Sequence, residues 1–195
     1  MVNKFNIAVV GATGNVGREI LKILEEREFP IDNIYCLASA RSKGQKIDFK
    51  KQEIIIENLA EFDFSKVHIS LFSPGSKVSA EYVPKAAKQG CIVIDNTSQF
   101  RMNNDVPLIV PEVNAKVLQD FFHDKNRSNI ISNPNCSTIQ MVVALKPIHD
   151  VAIINRIVVS TYQSVSGAGK EAMDELFEQT KNIYANTNKE KKKFT

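Results

Sequence analysis

The order of patterns along the chain predicts an α/β fold, a doubly wound and mainly parallel sheet. Three observations predict it. Short apolar runs alternate with longer segments of helical period, the first run turns through closely spaced glycines into an amphipathic helix, and 195 residues of 43% apolar content suffice for one domain and part of a second.

Asn6 to Val10 reads as a buried strand, and Gly11-Ala-Thr-Gly-Asn-Val-Gly17 turns it into a helix with an apolar stripe at Val16, Ile20, Ile23 and Leu24. Further strands are expected over Ile34 to Leu37, Ile54 to Ile56, Val67 to Phe72 and Cys91 to Ile94, with a helix over Val78 to Gln89 between Pro74-Gly75 and Gly90. A polar connector, Asp124 to Ser128, leads into Ile130-Ile131. A helix follows over Thr138 to Leu145, with Pro147 just past its end because proline cannot donate to a helical ladder. The β-branched residues Val158, Val159 and Thr161 predict a strand over Arg156 to Gln163. Lys170 to Thr180 reads as a helix with Met173, Leu176 and Phe177 on one face, and the sequence beyond Tyr184 is polar.

Charge narrows the function classes. The formal net charge is +3, but Lys181, Lys189, Lys191, Lys192 and Lys193 crowd the end, and residues 1–180 sum to −1. That is a solvated lysine run rather than a basic face, so no nucleic-acid partner is expected. The opening Met-Val-Asn-Lys-Phe-Asn has no signal-peptide apolar region, and no run approaches the ~18 residues that span a bilayer, so a cytoplasmic protein without a membrane partner is expected. Three widely spaced cysteines suit neither a disulfide framework nor a zinc site, and no metal is expected.

The chemistry-bearing pattern is Gly11-x-x-Gly14-x-x-Gly17 at the junction of strand and helix. Glycines there permit a sharp turn and let phosphates approach N–H groups at the positive end of the helix, the mark of a Rossmann-type nucleotide site; the alternative is a plain tight turn. An NAD site places Asp or Glu at the end of the second strand to hold the ribose 2′-hydroxyl, and none occurs from Asn33 to Ile47. Instead Ala38-Ser-Ala-Arg41-Ser42-Lys43 offers a guanidinium and hydroxyls to a 2′-phosphate, so NADP is expected over NAD, against the alternative of an ordinary polar loop. Ser73-Pro-Gly75, at the end of the fourth strand, falls where such sheets place ligand loops.

Cys36 and Cys91 sit in strand-like apolar runs and read as buried core thiols. Cys136 lies among Asn133, Pro134, Asn135, Ser137 and Thr138 just ahead of a helix, whose dipole favours the attacking thiolate; the alternative is a structural cysteine. Gly167-Ala-Gly-Lys170 fails as a P-loop, lacking Gly at Ser164 and Ser or Thr at Glu171. His68 in a strand, His123 in the connector region and His149 after a helix end are expected to pack, cap or be solvated, not to act as bases.

Taken in order, Gly11 to Gly17, Ala38-Ser-Ala-Arg-Ser42, Asp95-Asn-Thr-Ser-Gln-Phe-Arg101, Val110-Pro-Glu-Val-Asn114, Asn133-Pro-Asn-Cys-Ser-Thr138 and Tyr162-Gln-Ser-Val-Ser-Gly-Ala-Gly169 resemble the aspartate-semialdehyde dehydrogenase family over nearly the whole chain. The resemblance implies a Rossmann-type NADP-binding domain at 1–129. The beginning of a glyceraldehyde-phosphate-dehydrogenase-like α+β catalytic and dimerisation domain follows at 130–195, with homodimers in full-length members. It implies that Cys136 attacks β-aspartyl phosphate and expels phosphate, and that the thioester is reduced by NADPH to aspartate semialdehyde, a step of amino-acid biosynthesis towards lysine, diaminopimelate, threonine and methionine. Arg101 would hold phosphate, Gln163 would orient substrate and Asn135 would stabilise the oxyanion, while Thr13, Gly14, Asn15, Val16, Arg41, Ser42, Ser166 and Gly167 would contact NADP. Gly11 and Ser73 join that cofactor set from the residue reading. Measured against the family, the chain stops after little more than half, before the catalytic His segment, so little turnover by this chain alone is expected. The alternative is a catalytically inactive nucleotide-binding remnant.

Overall fold

The computed structural model describes residues 4–124 and 127–185; the lysines from 189 onward and the polar stretch after Ala185 lie outside the described residues. The strands are β1 (Phe5–Val10), β2 (Ile31–Ala38), β3 (Lys46–Phe49), β4 (Gln52–Asn58), β5 (Ile69–Phe72), β6 (Ile92–Asp95) and β7 (Ile130–Ser132). The helices are α1 (Asn15–Glu26), α2 (Ser76–Lys88), α3 (Pro111–Asn114), α4 (Lys116–His123), α5 (Cys136–Val151) and α6 (Lys170–Tyr184). The strands form one sheet in the order β3-β4-β2-β1-β5-β6-β7, and every neighbouring pair is parallel except β3 with β4.

Both faces of the sheet are buried, as a parallel sheet requires. Ile7 and Val9 of β1 pack with Cys36, Ile56 and Leu21 of α1, whereas Ala8 and Val10 face the opposite way, with Phe72, Val93 and Val83 of α2. The α1 face departs from the expected stripe: Gly17 and Leu21 are buried, with Ile20 and Leu24 packed partly against the core, while Val16 and Ile23 are 46% and 38% exposed. The helix rolls onto its glycine because that is the side that can come closest to the strand.

Other departures have equally local causes. The β3–β4 hairpin escaped the sequence reading because its turn is Lys50-Lys51, at φ 48° and 63°, rather than the Asn-Gly pair that such a turn favours. The short helices α3 and α4 were also unforeseen, and His123 is the last residue of α4 rather than part of a connector. Helix α5 begins at Cys136 and continues through Pro147 to Val151, which places His149 inside it. Proline's φ is itself helical, and its cost is one missing N–H and crowding of the preceding turn, so it need not end a helix.

Residues up to Asn155 form one compact unit, including β7 and α5, and residues from Arg156 form a second. The second unit lacks the expected strand over Arg156 to Gln163: Val158 is 82% exposed, and no described segment pairs with it. β-Branched residues favour a strand only where a ladder partner exists. Among the described residues its helical elements are a 3₁₀ turn (Val165–Ala168) and α6, of which only Ala172 is buried, so Met173, Leu176 and Phe177 cover no core there.

Cys36 and Cys91 are fully buried, and burial pushes both thiols from their ordinary 9.0 up to about 11. Nearby Glu57 adds to the effect at Cys36, whereas a hydrogen bond to Ser70 Oγ at 3.2 Å opposes it at Cys91. The unfolded chain therefore releases these protons first: the stabilisation is present below pH 9 and is lost as pH rises through about 11. Urea denaturation is expected to show a fall in stability across that window, and Cys36→Ala/Cys91→Ala a flatter profile from a lower starting value. Equal slopes for the two proteins would contradict it.

Candidate active site

Six strands run parallel, so their carboxyl ends share one edge. Loops leave that edge after β4 at Asn58, after β2 at Ser39, after β1 at Gly11, after β5 at Ser73, after β6 at Asn96 and after β7 at Asn133. The chain moves outward in one direction from β1 to β2 and in the other from β5 to β7, so the switch point lies between β1 and β5, where open α/β sheets bind ligands.

A cleft of about 510 Å³ opens at that point. Gly11, Thr13 and Gly14 form its floor, Ser39 and Ala40 one rim, and Ser73 and Pro74 another. Gly11 has φ +83°, and a Cβ there would sit 3.0 Å from the Ser73–Pro74 backbone; a Cβ at Gly17 would come within 2.2 Å of the Gly11 carbonyl oxygen. The glycines thus allow the turn to be sharp and the helix to approach, and Gly14 caps α1 with extended backbone. Asn15 and Val16 follow in the first helical turn, both exposed, and Ser73 Oγ donates to the Val10 carbonyl at 3.3 Å. A glycine cradle at a helix start, free of any carboxylate at the end of β2, suits a dinucleotide phosphate.

Arg41 and Ser42 occupy the same 3₁₀ turn as Ala40, one step beyond the rim; Arg41 is exposed and its side chain has no partner among the described residues. The sequence reading missed the far wall, made by Asn58, Leu59, Ala60, Val78 and Tyr82. Asn58 was findable as the carboxyl end of β4, next to β2; the others carry no local signature. Glu61 ties this wall to the opposite rim, accepting from Lys43 Nζ at 2.6 Å and Asn58 Nδ2 at 2.9 Å, and these bonds hold its carboxyl below the usual range.

Two strands along the edge, Arg101 and Cys136 are brought onto neighbouring loops. Arg101 is half-buried, its Nε donating to the Asn133 carbonyl at 2.8 Å and an Nη2 to the Asn96 carbonyl at 3.1 Å. Those two bonds link the β6 and β7 loops and leave three guanidinium N–H groups without a partner among the described residues. Asn135 caps α5, its side-chain oxygen accepting from Ser137 N at 2.9 Å, so its amide NH₂ remains a donor. Cys136, first residue of the 16-residue helix α5, is exposed.

The description "Semialdehyde dehydrogenase, NAD binding domain" matches residues 6–121, and "Semialdehyde dehydrogenase, dimerisation domain" matches residues 145–195. The chain belongs to the semialdehyde dehydrogenase family. Its residues 6–121 are an NAD(P)-binding domain. Aspartate-semialdehyde dehydrogenase 2 of Vibrio cholerae is 56% identical over 92% of this chain and 52% of its own, and the Rickettsia conorii aspartate-semialdehyde dehydrogenase 52% identical over 100% and 56%. The crystal structure of aspartate semialdehyde dehydrogenase II from Vibrio cholerae, complexed with ASA, has a TM-score of 0.91 at 50% identity, covering 100% of this chain and 56% of that one. The chain spans about half the length of the curated relatives it matches.

In this semialdehyde dehydrogenase chain, Gln163, Ser166 and Gly167 belong to the second unit. There the Gln163 side chain lies against Gly167, where a Cβ would fall 1.9 Å from its Nε2. The histidines are engaged structurally: His68 Nδ1 accepts from Asn6 N at 2.9 Å, His123 Nδ1 meets the Gln119 carbonyl at 2.5 Å, and His149 Nδ1 accepts from Ile154 N at 3.3 Å. Among the described residues no cluster of three potential metal ligands occurs, and no helix is long and apolar enough to cross a membrane.

Exposure separates the thiols, since Cys136 is open to solvent and the other two are buried. Iodoacetamide at neutral pH is expected to modify Cys136 alone in the folded chain and all three cysteines in urea, read by peptide mass spectrometry. Native modification of Cys36 or Cys91 at a comparable rate would contradict the placement.

Proposed function

We propose that the chain carries the nucleotide-binding and thiol half of an NADP-dependent aspartate-semialdehyde dehydrogenase, which converts β-aspartyl phosphate to aspartate semialdehyde and phosphate in amino-acid biosynthesis. The single observation that carries this reading is the exposed Cys136 at the start of α5, on the same sheet edge as the glycine cradle. From β1 to β7 the edge crosses three inter-strand spacings, or about 15 Å. The nicotinamide half of a bound dinucleotide would extend from its phosphates along that edge towards Cys136.

The Cys136 thiolate attacks the acyl carbon, the C–O bond to phosphate breaks, and a thioester forms. Splitting acyl transfer from reduction makes two easier steps of one. Two features receive an anionic substrate here: N–H groups of the first α5 turn point toward the helix start, and the Arg101 loop adds a positive charge. Arg101, with three donors to spare, holds the phosphate; the Asn135 amide, oriented by its capping bond, donates to the developing oxyanion. Gln163 orients the substrate. NADPH supplies the reducing equivalents when bound. Gly11, Thr13, Gly14, Asn15, Val16 and Ser73 hold its pyrophosphate side, Arg41 and Ser42 its 2′-phosphate, and Ser166 and Gly167 complete the set.

In this reading residues 1–129 are the nucleotide domain and 130–195 the beginning of a catalytic and dimerisation domain, the protein acting as a cytoplasmic homodimer.

The test reads chemistry at the thiol directly. β-Aspartyl phosphate is expected to leave an aspartyl adduct on Cys136 that hydroxylamine removes, absent in Cys136→Ala; an adduct that survives that substitution, or none on the unsubstituted chain, sinks the proposal. For the cofactor, fluorescence titration of Arg41→Ala is expected to weaken NADPH binding about 10-fold or more, the size of a lost charge-assisted contact, with NADH binding unchanged. Equal losses for both nucleotides would assign Arg41 elsewhere.

A further inference from the structure

Asp95, the last residue of β6, is fully buried. A carboxylate in that position is costly unless its oxygens are satisfied, and no cation pairs with it among the described residues. Four donors converge on it instead. Its Oδ1 accepts from Ser79 Oγ at 3.0 Å and Thr97 N at 3.1 Å, its Oδ2 from Thr97 Oγ1 at 2.8 Å, and its backbone carbonyl from Asn133 N at 2.9 Å.

The direction of these bonds matters. A carboxylate only accepts, so the Thr97 hydroxyl must donate to it, and the hydroxyl oxygen is then free to accept from Gln99 N at 3.3 Å. The result is a directed chain, Gln99 N–H to Thr97 Oγ1–H to Asp95, that shapes the loop from Asn96 to Arg101. At the other end, Arg101 grips the Asn96 carbonyl beside Asp95 and the carbonyl of Asn133, whose N–H Asp95 itself holds. The Asp95 main chain thereby holds the strand end that carries the Asn133 carbonyl, and its carboxylate, through Thr97, shapes the loop that carries the Asn96 carbonyl.

We propose that Asp95 is a positioning residue whose buried carboxylate, acting through Thr97 on the loop that carries Asn96 and Arg101, aims Arg101 at the anion site beside Cys136. The proposal rests on the reading of Arg101 and Cys136 given above. Asparagine at position 95 would turn an NH₂ toward a Thr97 oxygen that already accepts from Gln99, leaving the hydroxyl proton without its acceptor and slackening the loop.

A pair of alkylating agents tests this on the 195-residue chain without recourse to turnover. Iodoacetate is an anion and iodoacetamide is neutral, so the ratio of their rates at Cys136 reports the positive charge held there. Asn133 lies three residues from Cys136, within about 10 Å of chain. At about 0.01 M ionic strength screening over that distance is weak.

Asp95→Asn is expected to lower the ratio by up to about 2-fold, less than the roughly 3-fold that displacement of a unit charge 10 Å away produces, because the lost Asp95 charge acts in the opposite sense. Loss of the Asp95 charge alone would raise the ratio, so a rise or no change overturns the proposal. Thr97→Val is expected to lower the ratio likewise and Thr97→Ser to retain it, which decides the matter should Asp95→Asn fail to fold. Ser132→Ala removes a buried hydroxyl that has no hydrogen-bond partner among the described residues and stands in register beside Asp95, and it should leave the ratio unchanged. Arg101→Gln separates the two readings. If it leaves the ratio at the unsubstituted value, the assignment of Arg101 falls and this proposal with it. If it lowers the ratio while Asp95→Asn and Thr97→Val do not, only the role of Asp95 falls.

Discussion

Everything at the carboxyl edge depends on how closely α1 can approach the end of β1. Gly17 lies where a Cβ would stand 2.2 Å from the Gly11 carbonyl oxygen, a separation no side chain tolerates. Because that atom is missing, the helix packs on Leu21 and its first turn comes down beside the glycine turn. Gly11, at positive φ and pressed against Ser73 and Pro74, closes the same corner from the other side. A larger residue at either position would push helix or loop outward and empty the cradle of its shape.

Along the rest of the edge, polar groups rather than apolar packing set the geometry. Asp95, Thr97 and Ser79 form a buried cluster in which every carboxylate oxygen has a donor, and Arg101 crosses from the β6 loop to the β7 loop through two backbone carbonyls. Directed bonds of this kind hold an angle as well as a distance, which apolar contacts do not. Cys136 needs none of that support itself: it stands exposed on a helix whose cap, Asn135, is the neighbouring residue. The other two thiols lie inside the two layers of core, where removal from water favours the neutral thiol over the reactive thiolate.

Legibility varied with how local the governing interaction was. The strand–glycine–helix opening, the α2 helix and the exposed Cys136 at a helix start were readable because residue type and spacing express them within a few positions. The β3–β4 hairpin was not, since Lys50-Lys51 adopts left-handed backbone that nothing in a lysine pair advertises. Pro147 misled in the opposite direction, marking a helix end where the helix continues to Val151. The segment from Arg156 to Gln163 has the composition of a strand and no described partner to make it one, so composition and structure differ there.

The sequence by itself determined the α/β class, the parallel order implied by alternating strands and helices, the glycine cradle and the identity of the solvent-facing thiol, because each follows from local sterics and hydrophobic periodicity. Only the tertiary structure decided that the cleft's far wall is Asn58 to Ala60 with Val78 and Tyr82, that Arg101 joins two loops, and that Asp95 receives four donors. Those are contacts between segments tens of residues apart, and their partners are chosen by the order in which the strands line up in the sheet, which short-range pattern does not encode.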